Sequence, residues 1–262
     1  MPQVYAALQG LTQDDSKDVA ALIESNAPVA ARVLQVVNSA FFRVPRPVTN
    51  IEQAVSYLGL AAIRNLTMSV EVFSNWSDKT NTAIDLNKLQ THVHKVAMAA
   101  SSLTAQTPIA DEAMLAGLLH DVGYWLLAQE SNGDLKRATD LAVSAKLTLE
   151  EAEMQVMGAT HAEIGAYLLG LWRLPYPVIE AVAYHHQPQQ VAQSNFDVLA
   201  AVAVSHALVP EDDTTAFGPG IAADRKVDES YLLSVNAPFN WKEASRRVAE
   251  RLASEAGVAL AV

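Results

Sequence analysis

Residues 111–127 read DEAMLAGLLHDVGYWLL, and this stretch decides the fold class. Its large apolar residues recur every three or four positions, which places them on one side of a helix; they are Leu115, Leu118, Leu119, Val122 and Leu126. The opposite side begins with Ala113 and Gly117 and continues with His120, Asp121 and Tyr124. A helix with large apolar residues on one side and small residues on the other is typical of a protein interior. We therefore predict one helix over 111–127, with His120 and Asp121 where two groups of helices meet.

The same helical periodicity runs through the rest of the chain. Val29, Val33 and Val37 follow Pro28, a residue favoured in the first turn of a helix, and a longer apolar face opens after Asp85. Three pairs have the spacing of a capping box, in which each side chain accepts the other residue's backbone N–H; they are Thr49 with Glu52, Thr148 with Glu151, and Thr160 with Glu163. No alternating stretch is long enough for a strand, so the predicted fold class is all-α.

The composition excludes several classes of protein. Half of the 262 residues are hydrophobic and 18% are charged, which is typical of a folded chain. The net charge of −11 argues against DNA or anionic lipid as a partner, because both need basic surface. The absence of cysteine excludes disulfides, Cys-ligated zinc and thiol catalysis. Residues 1–10 lack the basic region of a signal peptide and no apolar run could span a bilayer, so we expect a cytoplasmic protein.

Three segments interrupt the helical pattern. Residues 41–47 read FFRVPRP, and the two prolines fix φ and stop a helix from propagating. Residues 74–81 are polar and turn-prone, which marks the predicted boundary between two lobes. Residues 209–226 are rich in glycine, proline and acidic residues and precede a last amphipathic segment.

The seven histidines are unevenly placed on these predicted helices. His92 falls on the apolar face of its helix, whereas His94 falls on the outer face. His185 and His186 continue the apolar face of a later helix, and His206 lies on the apolar face of the next one. With His161 and the central pair, the candidate site residues are His92, His120, Asp121, His161, His185, His186 and His206.

Burying several imidazoles costs free energy unless each ring finds partners for its N–H group and its lone pair. Two arrangements meet this requirement: a hydrogen-bonded polar cluster or a metal site. Neutral imidazole and carboxylate suit Zn, Fe, Mn or Ni, and the interior of a helical bundle is a usual place for such sites. The pattern favours a divalent transition metal and leaves the hydrogen-bonded cluster open.

The order of these residues resembles that of the HD phosphohydrolase superfamily, and more closely its HD-GYP branch. Residues 23–40, IESNAPVAARVLQVVNSA, and residues 50–59, NIEQAVSYLG, resemble the HDOD domain, a bacterial relative of HD-GYP found in signalling proteins. Residues 172–175, WRLP, and 184–186, YHH, are also similar to that family. The resemblance covers about residues 1–210.

The resemblance implies a two-lobed helical fold. An N-terminal HDOD helical lobe, residues 1–76, would pack on an HD-like helical bundle with a C-terminal extension, residues 77–262. It also implies the ligands of a metal site that could be binuclear. In family order these are His92, the HD pair His120 and Asp121, His161, the double histidine His185 and His186, and His206, which stands where HD-GYP proteins have an aspartate.

Two departures from the HD-GYP pattern bear on function. Tyr124 stands where that pattern has a lysine, and a hydroxyl cannot offer a cation to a substrate phosphate. Residues 187–190, QPQQ, stand where the Gly-Tyr-Pro loop follows the double histidine. The resemblance therefore implies an HDOD regulatory module that acts in signal transduction through a protein partner, without HD-GYP cyclic-dinucleotide phosphodiesterase activity.

Two alternatives stay open on the sequence. In the first, the protein is a metal-dependent phosphohydrolase that uses a metal-activated water on a phosphorylated small molecule or a nucleotide. In the second, it is a helical scaffold without metal, whose histidines pair with one another or with tyrosine and glutamate side chains.

Overall fold

The computed structural model describes residues 2–8, 10–11, 15–39, 42, 44, 46–74, 83–209 and 227–259. These residues form fifteen α-helices and contain no β-strand, so the prediction of an all-α fold is confirmed. The chain divides into two compact units, Met1–Ser77 with Ala249–Val262, and Asp78–Val248. Among the described residues, no helix combines the length and the apolar character needed to cross a membrane.

Five helices build most of the first unit: α1 (Gln3–Leu8), α2 (Ser16–Glu24), α3 (Ala27–Val37), α4 (Ile51–Leu58) and α5 (Leu60–Ser74). The start predicted near Pro28 is confirmed, since Asn26 caps α3 and its side chain accepts the Val29 N–H. The core residues of this unit are apolar and fully buried; they include Ile23, Val33, Ile51, Ile63 and Leu66.

Two polar side chains hold distant segments of the first unit together. The amide of Asn38 donates to the carbonyl of Val48 at 2.8 Å and accepts the N–H of the same residue at 2.7 Å, which closes the proline-rich loop after α3. The buried carboxylate of Glu71 accepts the backbone N–H groups of Val4 and Tyr5 at 2.9 and 2.7 Å. Glu71 thus satisfies N–H groups that the first turn of α1 leaves without partners.

The second unit contains most of the remaining helices: α6 (Leu86–Leu103), α7 (Ala110–Leu119), α8 (Val122–Glu130), α9 (Asn132–Ala145), α10 (Leu149–Met157), α11 (His161–Leu171), α12 (Tyr176–Tyr184), α13 (Val198–Leu208), α14 (Glu229–Ser234) and the first part of α15 (Trp241–Ala259). Helix α13 lies at the centre, because every residue from Val198 to Ser205 is buried. It packs against α6, α7 and α12, and these four helices carry or adjoin most of the candidate site residues.

Glycines allow the closest helix contacts in this unit. A Cβ at Gly117 would lie 2.6 Å from the Cα of Ala97 on α6, so α6 and α7 touch backbone to backbone. Gly123, near the start of α8, and Gly165, on α11, bring those two helices together in the same way. Gly117 and Gly123 thus permit close contacts between helices on either side of His120 and Asp121.

The prediction of one helix over 111–127 is wrong. The chain forms α7, leaves the helix at His120 and Asp121, and resumes as α8 at Val122. The apolar spacing continues across the break, so periodicity alone does not reveal it. As a result, the His–Asp pair lies at the junction between two helices.

Two of the three predicted capping boxes are confirmed, at Thr148 with Glu151 and at Thr160 with Glu163. The third is wrong, because the N-cap of α4 is Asn50, whose side chain accepts the Gln53 N–H. Asp85, after which the sequence predicts an apolar helical face, is the N-cap of α6. Residues 75–81 and 210–226, and several positions within 41–47, lie outside the described residues, so the structure says nothing about those predicted loops.

Candidate metal centre

All seven predicted site residues converge inside the second unit. His92 lies in the middle of α6, His120 and Asp121 form the α7–α8 junction, and His161 is the first residue of α11. His185 and His186 directly follow α12, and His206 lies near the end of α13. Local sequence fixes these positions: the capping box at Thr160 starts α11 at His161.

The carboxylate of Asp121 lies between the histidines. Its Oδ2 is 3.2 Å from the Nε2 of His120 and 3.8 Å from the Nε2 of His92. Its Oδ1 is 3.5 Å from the Nε2 of His161 and 3.7 Å from the Nε2 of His185. Each oxygen of one carboxylate therefore faces a different pair of imidazoles.

The seven residues form two groups that could each hold a metal ion. Asp121, His161, His185 and His186 make the first group, which we call subsite A; His92, His120 and His206 make the second, which we call subsite B. Within each group one candidate ligand atom per residue lies within 4.8 Å of every other. Because the second oxygen of Asp121 points to subsite B, the carboxylate can serve both subsites.

Backbone carbonyls orient two of the rings. The Nδ1 of His120 is 2.8 Å from the carbonyl oxygen of Gly117, and the Nδ1 of His185 is 2.8 Å from that of Val182. A carbonyl only accepts, so each Nδ1 carries the proton and each Nε2 presents its lone pair to the centre. Both Nε2 atoms are buried without a hydrogen bond in the part of the chain that the structure describes.

Two glutamates that the sequence reasoning missed hold the other two rings of subsite A. The Nδ1 of His161 is 2.9 Å from Oε2 of Glu153, and the Nδ1 of His186 is 2.8 Å from Oε1 of Glu150. Both glutamates lie on α10 and are buried, with exposures of 0% for Glu153 and 8% for Glu150. Their spacing of three places them on one face of the helix, but nothing in the sequence distinguishes them from solvated glutamates.

Tyr124 belongs to the same network. Its ring stacks on the imidazole of His161, with centroids 3.8 Å apart and an interplanar angle of 16°. Its hydroxyl hydrogen bonds with Glu153, and the residue is only 4% exposed. Burial, helped by the nearby carboxylates, raises the pKa of the Tyr124 phenol well above its ordinary value, so the hydroxyl keeps its proton.

The electrostatics favour an ionised Asp121 and lower the pKa of three of the surrounding imidazoles. Burial holds the pKa of His185 and of His206 well below the usual value and lowers that of His92 to about 4. Burial alone would raise the pKa of Asp121, but the surrounding imidazoles, His120 above all, hold it well below its usual range. His161 is the exception: its carboxylate neighbours, Glu153 above all, outweigh burial and raise its pKa to about 9.

The donor set fits a divalent transition metal. The Nε2 atoms of His161 and His186 are 3.1 Å apart; in the metal-free chain the raised pKa of His161 places a proton between them, and a cation can replace that proton. Together with the buried, unbonded Nε2 atoms of His120 and His185, this arrangement meets the needs of an ion that prefers imidazole and carboxylate ligands, such as Zn, Fe, Mn or Ni.

His94 does not lie on the outer face of α6 as predicted. It is buried, with 7% exposure, and its Nδ1 is 2.8 Å from the carbonyl oxygen of Gln90. The prediction is wrong because α6 packs against both α7 and α13, so more than one of its faces is buried. His94 belongs to neither subsite.

Residues 1–188 match the family model described as the HDOD domain, which is well over half of the chain. The chain belongs to the HDOD family. Six of the seven candidate ligands lie inside the matched residues, and His206 lies beyond them. The resemblance read from residues 23–40 and 50–59 is confirmed.

A curated relative is an uncharacterized protein from Treponema pallidum (strain Nichols), which is 24% identical over 189 residues. The match covers 72% of this HDOD chain and 37% of the relative, so the chain spans little more than a third of that protein.

Solved structures share the helical fold. An HDOD domain protein of unknown function from Geobacter sulfurreducens has a TM-score of 0.70 and 24% identity, with coverage of 94% of this chain and 80% of that one. A candidate phosphohydrolase from Shewanella amazonensis SB2B has a TM-score of 0.71 and 19% identity, covering 97% and 92%. A candidate signal transduction protein from Marinobacter aquaeolei VT8 has a TM-score of 0.74 and 22% identity, covering 99% and 57%.

Proposed function

We propose that this HDOD chain is a regulatory signalling module whose helical bundle binds divalent transition metal ions, Fe, Mn, Zn or Ni, in a binuclear site. The proposed ligands are the seven residues of subsites A and B, with Asp121 shared between them. The proposed lobes are residues 1–76 and 77–262. The observation that carries the proposal is the position of Asp121, whose two oxygens face different pairs of imidazoles at 3.2–3.8 Å.

A purely hydrogen-bonded cluster accounts less well for the same contacts. In such a cluster each inward nitrogen would need a donor or an acceptor, because burying it without one costs about 1–3 kcal/mol. The Nε2 atom of His185 has no such partner among the described residues, and that of His120 faces the Asp121 carboxylate at 3.2 Å without an aligned hydrogen bond. A cation at each subsite would satisfy both atoms.

The surroundings of the site support regulation over HD-GYP chemistry. Tyr124 stands where the related enzymes have a lysine, and here it is buried against His161 with its hydroxyl on Glu153. It therefore cannot present a cation to a substrate phosphate. Residues Pro188–Gln190 form a short 3₁₀ turn in place of the Gly-Tyr-Pro loop. We infer that the module does not cleave cyclic dinucleotides in the HD-GYP manner and that it acts through a protein partner.

One observation keeps a phosphohydrolase as the second candidate. His92, His186 and His206 are each only partly buried, so the cluster contacts solvent at these residues. A small phosphorylated molecule or a nucleotide would approach the site from there. When bound, divalent ions supply Lewis acidity, which polarises phosphoryl oxygens and activates water. In that reaction Asp121 and the six imidazoles would hold the ions in place, and Glu150 and Glu153 would fix the orientation of two of the rings.

The test of the proposal is a measurement of metal content. The full chain is purified without chelator and its transition metals are counted by mass spectrometry, for the wild type and for His92→Ala and His94→Ala. These two histidines lie on the same helix, but only His92 belongs to a subsite. We expect up to two ions per chain, a loss in His92→Ala and no loss in His94→Ala. A wild-type protein without metal, with a His120→Ala variant of unchanged stability, would favour the scaffold without metal.

An activity assay separates the two candidates. The metal-loaded chain is incubated with generic phosphodiesters and nucleotides in the presence of Mn²⁺ or Fe²⁺. We expect no turnover from a regulatory module. Turnover that disappears in Asp121→Asn would instead establish the phosphohydrolase.

A further inference from the structure

We propose that Glu150 and Glu153 make subsite A the tighter of the two metal subsites, so that the chain keeps an ion there while subsite B exchanges its ion with solvent. This inference rests on the proposed function, because it requires that the cluster binds metal. It concerns two residues that lie behind the ligands and that act through them.

Each of the two glutamates contacts one histidine of subsite A. Oε2 of Glu153 accepts both the backbone N–H of His161, at 2.8 Å, and its Nδ1–H, at 2.9 Å. Oε1 of Glu150 lies 2.8 Å from the Nδ1 of His186, which is an ion-pair distance, although this Nδ1 makes no aligned hydrogen bond among the described residues. A carboxylate that accepts the outer N–H of an imidazole fixes the tautomer and the ring orientation and makes the inner nitrogen a stronger ligand.

Subsite B differs from subsite A in this respect. The one ring there with an identified outer partner, His120, faces the neutral carbonyl of Gly117 at 2.8 Å. The three residues of subsite B are all imidazoles, and the only described carboxylate close to them is that of the shared Asp121. Two glutamate carboxylates thus lie behind subsite A, whereas the identified outer partner in subsite B is a neutral carbonyl.

The two subsites also differ in access to solvent. Subsite A has one partly buried ligand, His186, whereas subsite B has two, His92 and His206; His120 of subsite B is as fully buried as His161 of subsite A. A more buried, anionic environment strengthens the attraction for a cation. Charge, ring orientation and burial therefore all predict a higher metal affinity at subsite A than at subsite B.

The two subsites therefore fill in a fixed order as the metal concentration rises. At low metal concentration only subsite A is filled, and the occupancy of subsite B follows the concentration of free metal. A module with one resident ion and one exchangeable ion can report metal availability to a partner.

The experiment is a titration of the metal-free full chain with Co²⁺, followed by visible absorption and by calorimetry. The wild type should bind two ions in two resolved steps. Glu153→Gln and Glu150→Gln should each weaken the first step roughly 10- to 100-fold and leave the second unchanged. The matched control is Glu151→Gln, which removes the same charge from an exposed position on the same helix and should change neither step.

Two further variants assign the steps. His206→Ala should remove only the weak step, and His186→Ala should remove only the tight one, with folding verified by far-ultraviolet circular dichroism in each case. If Glu153→Gln fails to fold, the Co²⁺ titration of Glu150→Gln and of the two histidine variants tests the inference instead.

The outcomes are distinguishable. Two steps of equal affinity, or glutamate variants that bind like the control, would overturn this inference and leave the metal site in place. A wild type that binds no Co²⁺ would overturn the proposed function itself.

Discussion

Gly123 lies so close to His161 that a Cβ at Gly123 would stand 1.9 Å from the carbonyl oxygen of His161. The atom would also lie 2.7 Å from the carbonyl carbon of His161 and 3.1 Å from the backbone nitrogen of Gly165. All three neighbours are backbone atoms, so no flexible side chain can move aside. This contact places the first residue of α11 beside Asp121.

The first prediction concerns that contact. Gly123→Ala should destabilise the chain by about 3 kcal/mol, the upper end of the usual cost of overpacking, because a helix must shift to make room. It should also lower metal content, since His161 would move away from Asp121. Urea unfolding in the presence of EDTA measures the first effect and metal analysis the second.

The matched control for this prediction is Gly133→Ala on α9, where an added Cβ would meet nothing within 4 Å. That substitution should be neutral or stabilise the chain by up to about 1 kcal/mol, because alanine restricts the unfolded chain more than glycine does. Equal effects of the two alanines would show that the close approach is not what holds α8 and α11 together.

The second prediction tests the hydroxyl of Tyr124. Tyr124→Phe keeps the ring that stacks on His161 and removes the hydrogen bond to Glu153, which leaves a buried carboxylate with one partner fewer. We expect a loss of about 1–3 kcal/mol in the free energy of unfolding. The control is Tyr176→Phe, whose hydroxyl donates to Glu180 on an exposed surface and should matter by less than about 0.5 kcal/mol. Two variants of equal stability would contradict the role assigned to Tyr124.

The sequence predicts the helices well where apolar periodicity is strong and a cap is present, as at α3, α6, α10 and α11. It also predicts which residues meet, because a histidine on the apolar face of a helix must lie in the interior of the fold. The break at His120 and Asp121 escapes this reasoning, since it depends on how α8 meets α11 at Gly123.

Glu150 and Glu153 could not be identified from the sequence. They lie in a run of acidic residues at the start of a capped helix, where solvated glutamates are common because they favour the helix dipole. Only the tertiary contacts with His186 and His161 show that these two are buried. His94 illustrates the same limit, because the number of faces that a helix buries depends on its neighbours.

The third prediction concerns Glu71 in the first unit. Glu71→Gln leaves one oxygen acceptor for the N–H groups of Val4 and Tyr5 and places an NH₂ donor where the other oxygen was. We expect a loss of about 1–3 kcal/mol and faster hydrogen exchange at these two amides, because a buried donor loses its acceptor. Glu52→Gln, at an exposed position on α4, is the control and should leave both amides protected. Unchanged exchange in Glu71→Gln would mean that α1 is held by apolar contacts alone.

The last prediction is a pH dependence of the metal-free protein. Glu153, aided by Asp121, outweighs burial and raises the pKa of His161 from 6.5 to about 9. A histidine whose pKa is raised by folding stabilises the folded state fully below pH 6.5, and this contribution is lost as the pH rises to 9. It amounts to at most roughly 3 kcal/mol, at 1.36 kcal/mol per unit of pKa.

Urea unfolding in EDTA should therefore show that the free energy of unfolding falls between pH 6.5 and 9. This fall should be smaller in Glu153→Gln and unchanged in Glu151→Gln. If the Glu153→Gln chain falls as steeply as the wild type, the raised pKa of His161 does not come from this carboxylate.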